Sequence, residues 1–358
     1  MKKILMTGNE AIAEGALQAG CRFYAGYPIT PQNELIAYMA KHMIESGGVF
    51  IQAESELAAI NMVFGASAAG ARAMTSSSSP GVSLKQEGIS YMAGAELPGV
   101  IVNIMRAGPG LGNIWPAQTD YFQATRGGGN GEYRTIVLAP SSVNEAYNLM
   151  QDAFDLADRY RIPVILLGDG ILGQMMEPVL VHNQNPATNG KISRLPVKEW
   201  ALTGCKGRKP NLAASFRLAE GKLEEHNIHL QEKYKEIRDN EQDYEGLFLD
   251  DAQVILVAYG TMSRIAKGAM NKLREKGIKA GLLRPIALWP FPVNAFTKNL
   301  GPKIKYLVIE MSYGQMVEDV RLAVNGSSPV EFLGRSGGGV PAEEEIIKEV
   351  LSLNEKDI

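Results

Sequence analysis

Three positions in the first third of the chain have residue types suited to catalysis. Thr30 lies between two prolines in the stretch YPITP, Glu54 and Glu56 begin a helical pattern after the apolar run VFIQA, and Arg106 ends the run GVIVNIMR. A carboxyl group transfers protons as a general acid or base, and an arginine binds a carboxylate through charged hydrogen bonds. Each residue also has a structural explanation, as a helix cap, a favourable charge at a helix N-terminus or a surface charge.

All three positions lie at the ends of predicted strands. From residue 9 to about residue 178, apolar runs alternate with helical patterns, and several of these runs are continuously apolar. This alternation predicts a parallel sheet with helices on both faces. The carboxyl ends of parallel strands share one edge of the sheet, and ligands bind there. We therefore expect Thr30, Glu56 and Arg106 to converge on one crevice, beside the glycine-rich segment 107–131.

The pattern along the chain predicts two α/β domains and a linker. Residues 1–180 form the first domain, and residues 181–247 contain a turn-rich break followed by a highly charged stretch. We interpret that stretch as an exposed helix between the domains, with a partner-binding helix as the alternative. The alternation of strands and helices resumes from AQVILVAYGT, so residues 248–358 are predicted to form a second, smaller α/β domain.

The bulk composition argues against several classes of protein. Hydrophobic residues make up 45% and charged residues 21%, and the net charge of −3 gives no reason to expect nucleic acid as a partner. The N-terminal sequence is neither a signal peptide nor a membrane span, so we expect a cytoplasmic protein that does not bind membranes. Cys21 and Cys205 are too few for an iron–sulfur cluster, and no metal site is expected.

Several stretches together carry a resemblance to a known family. They are GNEAIAEGALQAG, YPITP, QAESELAAINMVFGASAAGARAMTSSSSPG, AGAELPGVIVNIMRAGPGLG, QTDYFQAT and VILVAYGT. In this order they resemble the α-type subunit of the 2-oxoacid:ferredoxin oxidoreductases over nearly the whole chain, and most closely the branched-chain type. The resemblance implies a thiamine-diphosphate-binding fold. Residues 1–180 would be its pyrimidine-binding domain, and residues 248–358 would resemble the C-terminal domain of transketolase.

The resemblance also implies a reaction. These enzymes oxidatively decarboxylate a 2-oxoacid to acyl-CoA and CO₂ and reduce ferredoxin, and the branched-chain type acts on 3-methyl-2-oxobutanoate. Thiamine diphosphate is shared with a β-type subunit that holds Mg²⁺, ferredoxin-like and gamma-type subunits accompany it, and [4Fe-4S] clusters lie on partner subunits. Coenzyme A is the co-substrate, and the chain is catalytic only in a hetero-oligomer. The alternatives are 2-oxoglutarate or pyruvate as substrate, a non-oxidative thiamine-diphosphate decarboxylase subunit, and a scaffold without catalysis.

The resemblance assigns roles to the residues at the predicted crevice. Glu56 matches a glutamate that hydrogen-bonds N1′ of the aminopyrimidine, where a carboxyl group performs general acid–base catalysis. Thr30 matches a threonine that contacts the substrate carboxylate, and its flanking prolines would stiffen the loop. Arg106 matches an arginine that fixes the same end of the substrate. The remaining loop residues expected to bind are Tyr27 and Pro28 for the cofactor, and Pro28 and Ile29 for the substrate.

The glycine-rich segment bears on substrate choice. Leu111, Ile114 and Trp115 favour a nonpolar branched side chain over 2-oxoglutarate, because no arginine stands where it would meet a second carboxylate. Asn130 occupies a position at which we expect a histidine in the family, so the role of this position stays open.

A second motif points to a different site. The triplet Gly168–Gly170 reads GDG, and Asn183, Asn185 and Asn189 follow it, a combination that suggests a Mg²⁺ and diphosphate site. The intervening segment contains Pro178 and does not read as the helix that such a site needs. We interpret the triplet as a turn at the end of a strand.

Overall fold

The computed structural model describes residues 2–181, 197–298, 301 and 304–355 and has the expected α/β architecture. The strands in these residues are β1 (Lys2–Thr7), β2 (Phe23–Gly26), β3 (Val49–Gln52), β4 (Ala73–Ser77), β5 (Gly99–Met105), β6 (Ile136–Leu138), β7 (Pro163–Asp169), β8 (Met176–Val181), β9 (Tyr244–Leu247), β10 (Val254–Val257), β11 (Ala280–Pro285), β12 (Ala287–Trp289), β13 (Lys305–Glu310) and β14 (Val330–Gly334). The helices are α1 (Gly8–Gln18), α2 (Asn33–His42), α3 (Glu56–Ala68), α4 (Ser79–Gly94), α5 (Tyr121–Arg126), α6 (Val143–Tyr160), α7 (Gly170–Gln174), α8 (Lys222–Asn240), α9 (Gly260–Glu275), α10 (Val293–Thr297), α11 (Met316–Val324) and α12 (Glu343–Glu355).

The larger sheet has seven strands in the order β12-β6-β7-β5-β4-β2-β3. The strands β2 to β7 pair in parallel, and β12 pairs antiparallel with β6. Side chains alternate between the two faces, so Val100 and Val102 of β5 pack with α1, α2 and α6, whereas Ile101 and Met105 pack with α3 and α4. Helices thus cover both faces, and every residue of β5 and β7 is buried.

The C-terminal part of the chain builds a five-stranded sheet in the order β14-β13-β10-β11-β9. Its strands are parallel except for β9, which is antiparallel to β11, and α9 and α12 contribute to the core on one of its faces. The Gln118 side chain joins the two sheets, because its amide donates to the Tyr259 carbonyl at 2.9 Å and accepts from the Met311 amide at 3.0 Å. The domain boundaries at residues 180 and 247 stay a prediction.

The strand β1 and the helix α5 were not foreseen from the sequence. The strand β1 pairs antiparallel with β8 in a separate two-stranded sheet, although the N-terminal residues read only as a short apolar patch. The helix α5 lies inside the glycine-rich segment that was expected to be a loop. Tyr121 explains it, because this buried side chain packs near Tyr259 and its hydroxyl donates to Asp319 at 2.6 Å. Tertiary packing therefore orders six residues that have little helical pattern of their own.

The charged stretch forms the predicted helix, α8, but one of its faces is not exposed. Leu230, Tyr234 and Ile237 recur at helical spacing, are buried, and join the core beneath α1 and α6. The Tyr234 ring also meets the edge of Trp289, with the ring centroids 6.0 Å apart. This single apolar stripe was masked by the many charges around it. In the described part of the chain, none of the helices has the length and hydropathy required to cross a bilayer.

Glu96 links α8 to the end of α4, and this link should depend on pH. Its Oε1 accepts from Lys233 Nζ at 2.8 Å and lies 3.0 Å from His229 Nε2. Burial alone would raise the pKa of Glu96, but the hydrogen bonds and charges of Lys233 and His229 lower it from 4.5 to about 2. A carboxyl group with a lowered pKa stabilises the folded state above its unfolded pKa, and this stabilisation is lost as the pH falls towards 2.

We therefore expect Glu96→Gln to be less stable than the wild-type chain at pH 6 by about 1 kcal/mol, allowing for solvent screening. The difference should shrink at pH 3, because the carboxyl group is then mostly protonated in the unfolded chain and mostly ionised in the folded chain, so folding must release a proton and gains less from the interaction. Urea unfolding of both chains at the two pH values measures the difference. An equal difference at pH 6 and pH 3 would contradict the assigned ion pair.

Candidate active site

The loops after β2, β4 and β5 meet at the carboxyl edge of the seven-stranded sheet. Arg106, which follows β5, donates from Nη1 to the Thr30 carbonyl at 3.0 Å and from Nη2 to the Leu111 carbonyl at 3.2 Å. Its backbone amide donates to Ser79 Oγ, at the start of α4, at 3.0 Å. Arg106 is buried, and its Nε has no hydrogen-bond partner among the described residues. The structure thus brings Thr30 and Arg106 together, and Arg106 fixes the position of both neighbouring loops.

Glu56 lies at the same edge, as the first residue of α3. The helix begins there because Ser55 is its N-cap, with Ser55 Oγ accepting from the Ala58 amide at 3.1 Å. Glu56 is only 6% exposed, whereas Glu54 is exposed to solvent. None of the described residues donates a hydrogen bond to the Glu56 carboxyl group. The Glu56 oxygens are not among the fully enclosed side-chain atoms that lack a partner, so the carboxyl group reaches the surface with its acceptors available to a hydrogen-bonding partner from outside the described chain.

The surroundings of Glu56 are shaped by the start of α4. A Cβ atom on Gly81 would overlap the Ser77 hydroxyl and would lie 2.5 Å from Glu56 Oε1, so only glycine allows this approach. The hydroxyl groups of Ser77 and Ser78 are buried and have no hydrogen-bond partner among the described residues. A carboxyl group without a donor among the described residues, beside the unpartnered Ser77 hydroxyl group, suits a polar heteroaromatic ring. These residues therefore fit an aminopyrimidine.

A buried polar cluster fixes the start of α4. Asp120 accepts from Ser79 Oγ at 2.6 Å and from Asn103 Nδ2 at 2.9 Å, and the Ser79 amide donates to Asn103 Oδ1 at 3.0 Å. Burial raises the pKa of Asp120, and the two side-chain hydrogen bonds oppose that shift. Ser79 adopts a φ of 21°, which an L-residue rarely occupies, so the cluster holds a turn that would not form by itself. This turn sets the position of Gly81 against Glu56.

The loop that contains Thr30 is fixed at its base and open at its top. The Pro31 carbonyl accepts from Asn9 Nδ2 at 2.8 Å and from Gln174 Nε2 at 3.0 Å. Above this base, Tyr27, Pro28 and Thr30 are exposed, and Ile29 is half-buried. The rigid loop expected from its prolines is thus reinforced by hydrogen bonds from α1 and α7, and its outer face is free to contact a ligand or a partner.

A cleft of about 450 Å³ opens beside Thr30. Its lining is mostly apolar, and the residues that make it so are Pro31, Ile114, Trp115, Pro116 and Ile171. Glu34 is its acidic side chain, and among the described residues neither lysine nor arginine lines it. Leu111, which we expected to shape the pocket, is instead 79% exposed and contributes its carbonyl to Arg106.

Of the two open motifs of the sequence, Asn130 lies away from the cleft, whereas Gly170 of the GDG triplet is part of its lining. Asn130 Oδ1 accepts from Ser90 Oγ at 3.1 Å, near the far end of α4 from Gly81. Asp169 of the GDG triplet caps α7, because its Oδ1 accepts from the amides of Ile171 and Leu172 at 2.9 and 3.1 Å. Burial raises the pKa of Asp169, and these hydrogen bonds oppose that shift. The downstream residues Asn183, Asn185 and Asn189 lie outside the described residues.

Two residues near Glu56 were missed by sequence reasoning. They are Gly81 and Lys85. Both lie on α4, one helical turn apart, and face the same part of the sheet. Gly81 follows the conspicuous run SSSSP, which marked a functional loop without showing which of its residues mattered. A glycine in the first turn of a helix and a lysine four residues later were the available signals.

A carboxyl group without a donor among the described residues shares the carboxyl edge of a parallel sheet with a fixed loop and an apolar cleft, and this edge is where α/β proteins bind ligands. Residues 14–245 match the family described as "Pyruvate flavodoxin/ferredoxin oxidoreductase, thiamine diP-bdg", and residues 252–346 match "Pyruvate:ferredoxin oxidoreductase core domain II". The chain belongs to the 2-oxoacid:ferredoxin oxidoreductase family and is a subunit of such an oxidoreductase.

Individual relatives agree with this assignment. The chain is 49% identical to ketoisovalerate oxidoreductase subunit VorB of Methanothermobacter marburgensis, over 97% of this chain and 96% of that protein. It is 36% identical to 2-oxoglutarate synthase subunit KorA of Methanothermobacter thermautotrophicus, over 99% of both. A solved 2-oxoglutarate:ferredoxin oxidoreductase from Magnetococcus marinus, with 2-oxoglutarate, coenzyme A and succinyl-CoA bound, is 28% identical with a TM-score of 0.85. That match covers 98% of this chain and 65% of the solved chain.

The comparisons also identify the fold. The thiamine-diphosphate-binding α/β fold, followed by a smaller α/β unit like the C-terminal domain of transketolase, was expected from the resemblance and is confirmed. The segment matched by the thiamine-diphosphate-binding family contains both α3, which begins at Glu56, and α4.

Proposed function

We propose that this chain supplies the acid–base carboxyl group of a branched-chain 2-oxoacid:ferredoxin oxidoreductase. The enzyme would oxidatively decarboxylate 3-methyl-2-oxobutanoate to its acyl-CoA and CO₂ with reduction of ferredoxin. The observation that carries the proposal is the Glu56 carboxyl group, which is 6% exposed, has no donor among the described residues and lies against Gly81. The relative that is 49% identical is named a ketoisovalerate oxidoreductase subunit, which supports the substrate.

Each residue at the edge has a distinct task in this proposal. When bound, thiamine diphosphate supplies the carbanion and the electron sink that a 2-oxoacid needs to lose CO₂. Glu56 would hold and move a proton at N1′ of the aminopyrimidine, as a general acid and base. Tyr27 and Pro28 would border the ring, and Thr30, with Pro28 and Ile29, would orient the carboxylate of the substrate from a loop that cannot drift.

Arg106 has a more indirect task than the resemblance implied. Its Nη1 and Nη2 donate to the carbonyls of Thr30 and Leu111, and its buried Nε has no partner in the part of the chain that the structure describes. Its positive charge lies directly beneath Thr30 and would attract the substrate carboxylate. Its hydrogen bonds would hold the threonine loop and the glycine-rich segment in register.

The remaining cofactors are proposed to lie on partner subunits. Within the described residues there is no group of three or more His, Cys, Asp or Glu side chains arranged to hold a metal ion, and the sequence has two cysteines where a [4Fe-4S] cluster takes four. A β-type subunit would hold the diphosphate and Mg²⁺, and ferredoxin-like and gamma-type subunits would carry the clusters towards ferredoxin. The free thiols of Cys21 and Cys205 suit the reducing cytoplasm that we propose as the compartment.

The cleft beside Thr30 supports a branched apolar substrate. An isopropyl group would be buried against Ile114, Trp115 and Pro116, whereas the second carboxylate of 2-oxoglutarate would meet Glu34 and no lysine or arginine of the described chain. Burying an unpaired charge beside another of the same sign is unfavourable. The second carboxylate of 2-oxoglutarate would therefore be unfavourable in this site, and pyruvate would be too small to fill it.

Purification of the complex from its source, with identification of its chains by mass spectrometry, tests the proposal. Viologen reduction would be measured with coenzyme A and 3-methyl-2-oxobutanoate, 2-oxoglutarate or pyruvate. We expect kcat/KM to be at least about tenfold higher for the branched acid, since one or two methylene groups in an apolar pocket carry that much discrimination. Equal or higher values for 2-oxoglutarate would overturn the substrate. Release of aldehyde without viologen reduction would show a non-oxidative decarboxylase instead.

A further inference from the structure

A buried lysine lies one layer beneath Glu56 and has no role in the mechanism derived so far. Lys85 is 0% exposed, and its Nζ donates to Thr75 Oγ1 at 3.0 Å. Lysine is almost never fully buried unless it is paired, because its charge loses the solvation of water. An ammonium group has three donors, and Thr75 is the acceptor that the described residues give it. The free-energy cost of burying this lysine points to a functional role for it.

The periodicities of the helix and the strand bring Lys85 beneath Glu56. Gly81 and Lys85 are four residues apart on α4 and therefore lie on one face, separated by about 6 Å along the axis. Ser77 and Thr75 are two residues apart on β4 and share one face, separated by about 7 Å. The upper layer contains Glu56, Gly81 and Ser77, and the lower layer contains the Lys85–Thr75 hydrogen bond.

Electrostatics connects the two layers. Burial lowers the pKa of Lys85 from 10.5 to about 8, and the negative charge of Glu56 opposes this shift. Glu56 is the charged group of the described chain that acts on Lys85, although the helix α4 also packs against α3, β5 and β7. The two side chains do not form a direct ion pair, so Lys85 acts on the carboxyl group through space and leaves its oxygens free for a ligand.

We propose that Lys85, held by Thr75, is the buried countercharge of Glu56 and a positioning residue for its acid–base catalysis. This inference rests on the proposed function of Glu56. The positive charge beneath the carboxyl group stabilises its anionic form, the form that accepts a proton. The lysine itself touches neither substrate nor cofactor.

The variant Lys85→Met tests the inference in the assembled complex. Methionine fills a similar volume without charge. We expect kcat to fall about tenfold at neutral pH, the KM for the 2-oxoacid to change little, and the acid limb of the pH–kcat profile to move up by about one pH unit, because loss of a buried positive charge disfavours a nearby anion. Lys85→Arg should restore much of the wild-type profile, and Thr75→Val should shift it in the same direction as Lys85→Met.

Stability gives a readout that does not depend on activity. A lysine whose pKa is lowered on folding is protonated in the unfolded chain and neutral in the folded chain between about pH 8 and 10.5, so stability rises with pH in this window. The full-length wild-type chain should show this rise in urea unfolding, and Lys85→Met should lack it while being no less stable at pH 7. Lys233→Met is the control for the kinetic profile, because Lys233 pairs with Glu96 away from the edge; burial also lowers the pKa of Lys233, so this variant is not used in the stability comparison.

The outcomes separate this inference from the proposed function. A wild-type acid limb in Lys85→Met, in a complex that Glu56→Gln inactivates, would overturn the role of Lys85 alone. An equal loss of kcat at every pH together with lower stability would assign Lys85 to packing, and would also overturn it. Full turnover in Glu56→Gln would overturn the proposed function itself. If Lys85→Met does not fold, the profile of Thr75→Val decides, and an unshifted acid limb there counts against the proposal.

Discussion

Replacing Glu56 with glutamine is expected to lower kcat of the assembled complex by about 10²- to 10⁴-fold, the range that a positioned general acid or base contributes. Glutamine keeps the size and the hydrogen-bonding carbonyl of the side chain but cannot exchange a proton. Because Glu56 receives no hydrogen bond from the described chain, the substitution breaks none, and any fall in the melting temperature should come from the unbalanced charge of Lys85. The reaction followed is coenzyme A-dependent viologen reduction by 3-methyl-2-oxobutanoate.

Glu54→Gln is the matched control for this experiment. Glu54 is two residues earlier in the chain, carries the same side chain and is exposed to solvent. We expect its kcat to stay within a few-fold of the wild-type value, since exposed substitutions of this kind are nearly neutral. Comparable losses in both variants would show that the catalytic carboxyl group had been assigned to the wrong residue, and full activity in both would favour the scaffold alternative.

Replacing Gly81 with alanine is the second substitution with a large expected effect. Its added Cβ would overlap the Ser77 hydroxyl and lie 2.5 Å from Glu56 Oε1, so the carboxyl group must move. A displacement of about 1 Å at a reacting group can cost about 100-fold in rate, and we expect kcat to fall by that factor. The overpacked site should also lose about 1–3 kcal/mol of stability. Turnover and urea unfolding measure the two effects separately.

Gly65→Ala provides the comparison, because Gly65 also lies inside a helix but has no atom within 4 Å of its would-be Cβ. Alanine is the better helix former, so this variant should gain about 0.5–1 kcal/mol of stability. It should keep the wild-type kcat. If Gly81→Ala behaved like Gly65→Ala, the close approach to Glu56 would not matter for catalysis.

The alternation of strands and helices was sufficient to predict the parallel sheet and its ligand-binding edge. Continuous apolar runs such as GVIVNIMR report burial on both faces, and the position of a residue after such a run places it at the carboxyl edge. Thr30 and Arg106 were therefore predictable as neighbours. Their direct contact was not, because it depends on loop geometry that no periodicity encodes.

The hydrogen bond between Lys85 and Thr75 beneath Glu56 could not be predicted from the sequence, for a physical reason. Lys85 lies among residues that read as an ordinary amphipathic surface, and only the packing of α4 against the sheet shows that it is buried. The strand β12 was missed similarly, since three residues after a proline give no strand pattern until they meet the free edge of β6. The stripe on α8 was hidden because three apolar residues pack a helix that is otherwise charged.

The pairing of β12 with β6 makes the two halves of the molecule depend on each other. Ala287 and Trp289 come from the segment that follows β11 of the smaller sheet, yet they complete the margin of the larger one, with the Ala139 amide bonded to the Ile286 carbonyl at 2.8 Å. Expressing the two halves as separate chains would leave β6 as an unpaired edge strand that is prone to aggregation. Thermal denaturation should accordingly proceed as one cooperative transition, and the shared ladder favours keeping both halves on a single polypeptide.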